Sequence, residues 1–145
     1  MNYMDDASTF ERSFLQKARQ QHIPITGALE LLPLCNMNCD MCYVRLSRSE
    51  MKCQGQLRTV DEWILLAQQM QKAGTLFLLL TGGEPLLFPD FKTLYLELRN
   101  MGMILTINTN GTLLGESWAD FFAEYRPRRI NITLYGADAA SYNSL

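Results

Sequence analysis

Cys35, Cys39 and Cys42 lie in the run Leu34-Cys35-Asn36-Met37-Asn38-Cys39-Asp40-Met41-Cys42-Tyr43, spaced C-x3-C-x2-C. Three thiolates on one short loop can hold three corners of a cubane iron–sulfur cluster and leave the fourth iron without a protein ligand. A cluster ligated entirely by protein mostly carries electrons, whereas an open iron can bind and activate a small molecule. The spacing alone leaves three readings. A structural zinc site would recruit Cys53 as its fourth ligand, because closed zinc sites take four. Free core thiols are the second reading, although three within one short loop is dense for packing alone. The open-iron cluster is the third. The spacing leans toward it, since paired C-x2-C units are the zinc norm and only one such unit is present.

Thr81-Gly82-Gly83-Glu84-Pro85 is the second informative run. A tight turn after a buried strand would use the same residues. Two positions without Cβ would also let a ligand approach the backbone, and exposed carbonyls with Glu84 would suit a cationic amine. The glycine spacing fits neither a dinucleotide fingerprint nor a P-loop. Asn108-Thr109-Asn110-Gly111 is the third run. Asn110-Gly111 is a good turn pair on composition, so its side chains are open to a turn role or a ligand role.

These runs need elements to position them. Ser8 and Glu11 have capping-box spacing ahead of Phe10, Phe14 and Ala18, which predicts a short helix ending near Pro24. Ala28 to Leu32 reads as a first strand, followed by a cysteine loop running to about Arg58. Thr59 and Glu62 form another capping box, and Trp63, Ala67 and Met70 make a helical stripe stopped at Gly74. Leu76 to Leu80 is apolar on both faces, as a covered parallel strand requires. Asp90 is the expected cap of a helix carrying Phe91, Leu94, Tyr95, Leu98 and Met101. Met103 to Asn108 is a third strand. A helix capped at Ser117 follows and breaks at Pro127. Ile130, Ile132 and Leu134 then alternate with polar residues in a fourth strand, and Asp138 has the look of another cap.

Four strand–helix alternations predict an α/β chain of parallel β/α units preceded by a short helix. Right-handed crossovers then place every strand's C-terminal end on one side. The cysteines, Gly82-Gly83-Glu84, Asn108 with Asn110, and Thr133 with Tyr135 collect there, where α/β barrels and open sheets carry their sites. Four units make half a barrel, and a bare inner strand is an aggregation hazard, so the chain reads as the N-terminal piece of a longer protein.

Composition bounds the function. Of 145 residues, 48% are hydrophobic and 19% charged, which predicts a packed core. A net charge of −2 gives no electrostatic reason to propose nucleic acid or an anionic membrane. No apolar run approaches a membrane span, Leu76 to Leu80 being as long as any. Asp5, Asp6 and Glu11 argue against a secretory signal. His22 is the only histidine, so a Cys–His dyad or multi-histidine metal site has no support. Arg126, Arg128 and Arg129 read as a solvated turn, and Cys53 as a spare loop thiol.

The cysteine spacing, the Gly82-Gly83-Glu84-Pro85 turn one β/α unit later and Asn108-Thr109-Asn110-Gly111 after the next strand resemble the radical S-adenosylmethionine (radical SAM) superfamily. The resemblance runs from about Leu29 to the end of the chain. The wording through Asn110-Gly111-Thr112-Leu113-Leu114 is similar to peptide-modifying and maturase members.

The resemblance implies the N-terminal half of a partial (β/α)6 TIM-like barrel. It divides the chain into an N-terminal extension at 1–27 and a core domain at 28–145, incomplete at its C-terminus. It implies a 4Fe–4S cluster on Cys35, Cys39 and Cys42, with S-adenosylmethionine chelating the fourth iron. One electron then splits a carbon–sulfur bond to give methionine and a 5′-deoxyadenosyl radical, which takes hydrogen from substrate. Gly82, Gly83 and Glu84 take the methionine amine, Thr133 or Tyr135 the ribose, and Asn108 and Asn110 join the cofactor site. The family often has an aromatic residue before the third cysteine, near the adenine. Met41 stands there with Tyr43 one place later, and a methionine can still pack on an aromatic ring. The implied partners are an electron donor such as a flavodoxin or ferredoxin and a substrate of the peptide kind, in a low-oxygen cytoplasm.

Overall fold

The apolar run ahead of Thr81 forms the second of four parallel strands. The computed structural model describes residues 5–134, 136 and 138, with side chains from residue 12 onward. The strands are β1 (Thr26–Glu30), β2 (Phe77–Thr81), β3 (Ile104–Thr109) and β4 (Arg129–Ile132). They pair in the order β1-β2-β3-β4, all parallel. A helix, α1 (Asp5–Gln20), precedes β1. The crossovers carry α2 (Arg48–Gln54) and α3 (Val60–Lys72), then α4 (Phe91–Asn100), then α5 (Glu116–Glu124).

One face of the sheet is covered by helices. Leu29, Leu78, Leu80, Leu105 and Ile107 point into a core shared with Trp63 and Ala67 of α3, Leu94, Tyr95 and Leu98 of α4, and Phe122 of α5. Leu80 and Ile107 are fully buried and lie opposite one another in the β2–β3 register. Each such side chain contributes roughly 2 kcal/mol of transfer free energy. Behind the core, Trp118 packs edge-on against Phe91 and stacks on Phe122, with the Lys92 ammonium 4.9 Å from its ring centre.

The opposite face carries Phe77, Leu79 and Thr81 of β2 with Thr106 and Asn108 of β3, all only half-buried. The run 76–80, expected to be covered on both sides, is therefore covered fully on one. Consecutive strand order with the core helices on a single face is the winding of a barrel rather than of a doubly wound open sheet. The fold is α/β, four parallel strands with their connecting helices in a partial TIM-like barrel. Among the described residues no helix is long and apolar enough to cross a membrane.

Several local expectations shift. The cysteine loop does not run to Arg58, because Ser47 and Glu50 form a capping box that starts α2. The N-terminal helix begins at Asp5, so Ser8 lies within it. Asp90 precedes α4 in the left-handed region (φ 59°) and makes no side-chain cap bond. Gly115, not Ser117, is the N-cap of α5, while the Ser117 hydroxyl and carbonyl take up the Lys92 ammonium. β1 runs over Thr26–Glu30, two residues ahead of the strand expected at Ala28 to Leu32. Tyr135 and the element expected after Asp138 lie outside the described residues.

The Thr59 box forms as expected: Glu62 N–H donates to Thr59 Oγ1 at 3.3 Å and Thr59 N–H to Glu62 Oε2 at 2.7 Å. The Thr59 backbone N–H holds the Glu62 carboxyl below its ordinary pKa. The folded value lies beneath the unfolded one, so this stabilisation is complete above the carboxylate range and lost as pH falls through it. Thr59→Ala is expected to lower stability by about 1 kcal/mol near neutral pH. The substitution keeps the backbone N–H that holds Glu62, so in urea titrations both proteins should lose stability alike toward about pH 3 and the gap between them should persist.

Candidate cofactor site at the strand ends

The cysteine loop leaves β1 and is tied down at both ends. Leu31 N–H donates to Thr81 O at 2.9 Å, continuing the ladder one step past β1, and Leu46 N–H returns to Pro33 O at 3.1 Å. Between these points the loop lies against the turn after β2. Gly83 N–H donates to Leu32 O at 2.7 Å and Glu84 N–H to Leu34 O at 2.9 Å. The approach is close enough to exclude side chains. A Cβ on Gly82 would stand 2.5 Å from Leu32 O, and one on Gly83 would collide with Leu34 O. Gly82 also has φ +135°, a region that side chains rarely adopt. The glycine pair therefore seats the cysteine loop as well as facing the cavity beside it.

That cavity, of about 370 Å³, opens at the C-terminal ends of the strands. Cys35, Cys39 and Cys42 border it together with Met41, Gly82, Gly83, Asn108, Asn110 and Thr133. Nine of the residues singled out in the sequence thus meet at one place. Met41 and Tyr43 both border the cavity and are 67% and 91% exposed, so neither is fixed by packing. Cys53 sits exposed on α2 and is not part of the cavity wall.

Glu84 departs from expectation. It is fully buried beneath the turn and does not line the cavity. Its Oε1 accepts from Leu86 N–H at 3.1 Å and Thr109 Oγ1 at 2.8 Å, and its Oε2 from Asn110 N–H at 2.9 Å. The side chain expected to meet an amine instead joins the end of β2 to the end of β3.

Asn36, Thr109 and Thr112 were not expected at the site. Thr109 is buried, donates to Glu84 and accepts Gly111 N–H at 3.1 Å. Asn36 Nδ2 donates to Thr112 Oγ1 at 2.7 Å, and Asn36 Oδ1 accepts Asn110 Nδ2 at 2.9 Å. A polar residue inside the cysteine run and another just past Asn110-Gly111 were the available signals. Asn108, on the open face, accepts from Asn131 Nδ2 at 2.9 Å across the β3–β4 pair.

The donor set can be tested against a cluster. Among the described residues no three His, Cys, Asp or Glu side chains are gathered as ligands of one metal ion. The three thiols border a volume instead. A cubane cluster takes each thiolate on a different iron, so it requires soft donors spread around a space. Two of the sulfurs already receive N–H groups: Cys35 Sγ from Met37 N at 3.4 Å and Asn110 Nδ2 at 3.6 Å, and Cys42 Sγ from Arg45 N at 3.3 Å. Such donors suit sulfur carrying negative charge on a metal. The residues present fit such a cluster, with Gly82 and Gly83 lining the same cavity.

The comparisons with known proteins agree. Residues 29–143 match the model of the radical SAM superfamily. The sporulation killing factor maturation protein SkfB of Bacillus subtilis is 26% identical over 117 residues, 81% of this chain and 28% of that protein. A GTP 3′,8-cyclase of Staphylococcus saprophyticus is 30% identical over 128 residues, 81% of this chain and 36% of its own length. The chain thus spans about a third of the length of the curated relatives it matches. Streptococcus suis SuiB bound to S-adenosylmethionine has the same fold, with a TM-score of 0.63 at 19% identity over 97% of this chain and 31% of that one. SuiB bound to its precursor peptide SuiA gives 0.60 at 21% identity over 90% and 29%. With the family model matched from the end of β1 through the cysteine loop and the three strands that follow, the chain belongs to the radical SAM superfamily.

Proposed function

We propose that this chain is the cofactor-binding part of a radical SAM enzyme. The Cys35, Cys39 and Cys42 thiolates would hold three irons of a 4Fe–4S cluster, and S-adenosylmethionine would complete the fourth. The observation that carries this reading is the convergence of the three thiols and the Gly82-Gly83 backbone on one cavity at the strand ends. When bound, the cluster supplies the single electron that splits S-adenosylmethionine, and the radical so released removes hydrogen from substrate.

The chain's own residues would bind and orient. Gly82 and Gly83 present backbone without Cβ to the methionine end of the cofactor. Asn108 and Thr133 border the same cavity and offer polar atoms to its sugar. Glu84 acts beneath the wall and touches no ligand. Met41 and Tyr43, both exposed on the rim, are free to pack against the adenine. An electron donor of the flavodoxin or ferredoxin kind and a cytoplasmic setting belong to this reading.

A peptide is the substrate class we favour, because SkfB is a maturation protein and SuiB has been crystallised with a precursor peptide. A nucleotide is the second reading, on the likeness to a GTP 3′,8-cyclase. GTP added to the reduced enzyme separates them. Stimulation of 5′-deoxyadenosine release by GTP alone would favour the nucleotide.

Anaerobic reconstitution with iron and sulfide tests the core of the proposal, using protein expressed from its complete reading frame. Wild type is expected to bind about four iron and four sulfide at this site. Its reduced EPR signal should change on adding S-adenosylmethionine. The Cys35→Ala, Cys39→Ala, Cys42→Ala triple variant should lose that signal entirely. Zinc in place of iron, released by Cys53→Ala, would overturn the proposal in favour of a closed metal module.

A further inference from the structure

The geometry points to Asn110 as a positioning residue that holds the Cys35 sulfur and sets the reduction potential of the group bound there. The inference rests on the reading that Cys35 is an iron ligand, and it assigns Asn110 to that sulfur rather than to S-adenosylmethionine.

The orientation of the Asn110 carboxamide is fixed by its partners. Thr112 N–H can only donate, and it meets Asn110 Oδ1 at 2.9 Å. The other end of the amide is therefore the NH₂ group. It faces Cys35 Sγ at 3.6 Å and Asn36 Oδ1 at 2.9 Å. Asn36 in turn donates to Thr112 Oγ1 at 2.7 Å, and that hydroxyl donates to Asn110 Oδ1 at 2.6 Å. Asn36, Asn110 and Thr112 thus close a ring of hydrogen bonds. The Asn110 backbone is anchored from below, its N–H on Glu84 Oε2. No part of this arrangement requires the amide to turn toward the cavity.

A hydrogen bond to a ligating thiolate stabilises it most when the cluster carries its extra electron, which raises the potential. Cys35 Sγ has two N–H donors, Met37 N–H and Asn110 Nδ2. Only the second comes from a side chain, and so only it can be removed by substitution. It also bridges β3 to the loop after β1, which ties the position of one iron ligand to a neighbouring strand end.

Asn110→Asp keeps the shape and the Oδ1 acceptor but replaces the donor with an oxygen facing sulfur. Thr112→Val breaks the ring while leaving the amide beside Cys35. The test is an EPR-monitored redox titration of reconstituted protein from the complete reading frame, poised at the wild-type midpoint. Asn110→Asp is expected to lower the ratio of reduced to oxidised cluster by roughly three- to tenfold, the worth of one ordinary hydrogen bond. Thr112→Val should stay within about twofold of wild type, a fraction of one hydrogen bond. Loss of the cluster in Asn110→Asp alone also supports the role. A wild-type ratio in Asn110→Asp, or an equal fall or equal cluster loss in Thr112→Val, overturns it while leaving the radical SAM reading intact. A wild-type protein that takes up no cluster overturns both, and is seen before any variant is compared.

Discussion

Gly83→Ala is expected to lower the free energy of unfolding by roughly 3 kcal/mol, at the upper end of what overpacking does, and to cut iron uptake with it. The reason lies in what the new methyl would meet. Its three nearest neighbours are Leu34 O, Leu34 C and Pro33 O, all backbone. A flexible side chain could swing aside, but these atoms belong to the loop that carries Cys35. They are held in turn by the bonds from Gly83 N–H to Leu32 O and from Glu84 N–H to Leu34 O. Relief can come only by lifting the cysteine loop away from the turn, which breaks those bonds and moves the thiols. Stability and metal uptake should therefore fall together. Gly115→Ala is the control, because a Cβ there meets open space and the change at a helix N-cap is worth only about 0.5 kcal/mol. Urea denaturation of the metal-free protein and iron content after reconstitution read the two effects. Wild-type stability in Gly83→Ala would mean that the loop is not seated as described.

Much of this was legible in the sequence, and what was not has physical causes. The parallel strands were visible because Leu76 to Leu80 and the alternating Ile130 and Ile132 carry periodic signals, and because Thr59 with Glu62 marks a helix start without tertiary help. The same box at Ser47 and Glu50 heads a helix of seven residues with none buried, too short to carry an apolar stripe that marks it off from the cysteine loop. Asp90 has the residue type of a cap, but the chain enters α4 through a left-handed step and the side chain makes no cap hydrogen bond. Spacing placed the cysteines and glycines at one end of the sheet because parallel crossovers leave no other arrangement. It could not say which way a side chain points there. Glu84 follows two cavity residues directly and belongs to none of the cavity wall, since the chain bends into a single 3-10 turn at Pro85–Leu87 and carries the carboxylate under it. Asn36 and Thr112 are distant in sequence, and no local rule joins them to Asn110.

The second large effect belongs to Glu84. Glu84→Gln is expected to lower stability by about 3 kcal/mol although it preserves size and shape. All three partners of the carboxylate are donors: Leu86 N–H and Thr109 Oγ1 on Oε1, and Asn110 N–H on Oε2. A carboxamide has one acceptor end and one donor end, so at least one backbone N–H must face an NH₂ group. Full burial leaves no water to take up the mismatch. The least damaging orientation keeps oxygen toward Leu86 and Thr109 and turns the amide nitrogen on Asn110 N–H. That repels the backbone of the residue whose side chain reaches Cys35. Glu84→Gln should thus lose stability in the metal-free protein and lose iron on reconstitution, without any contact between residue 84 and a ligand. A carboxylate that met the cofactor amine directly would behave otherwise. Its amide variant would fold and load iron as wild type does, and would fail only in binding S-adenosylmethionine. Equilibrium unfolding of the metal-free variant separates these outcomes, because the second mechanism predicts no change before any cofactor is added.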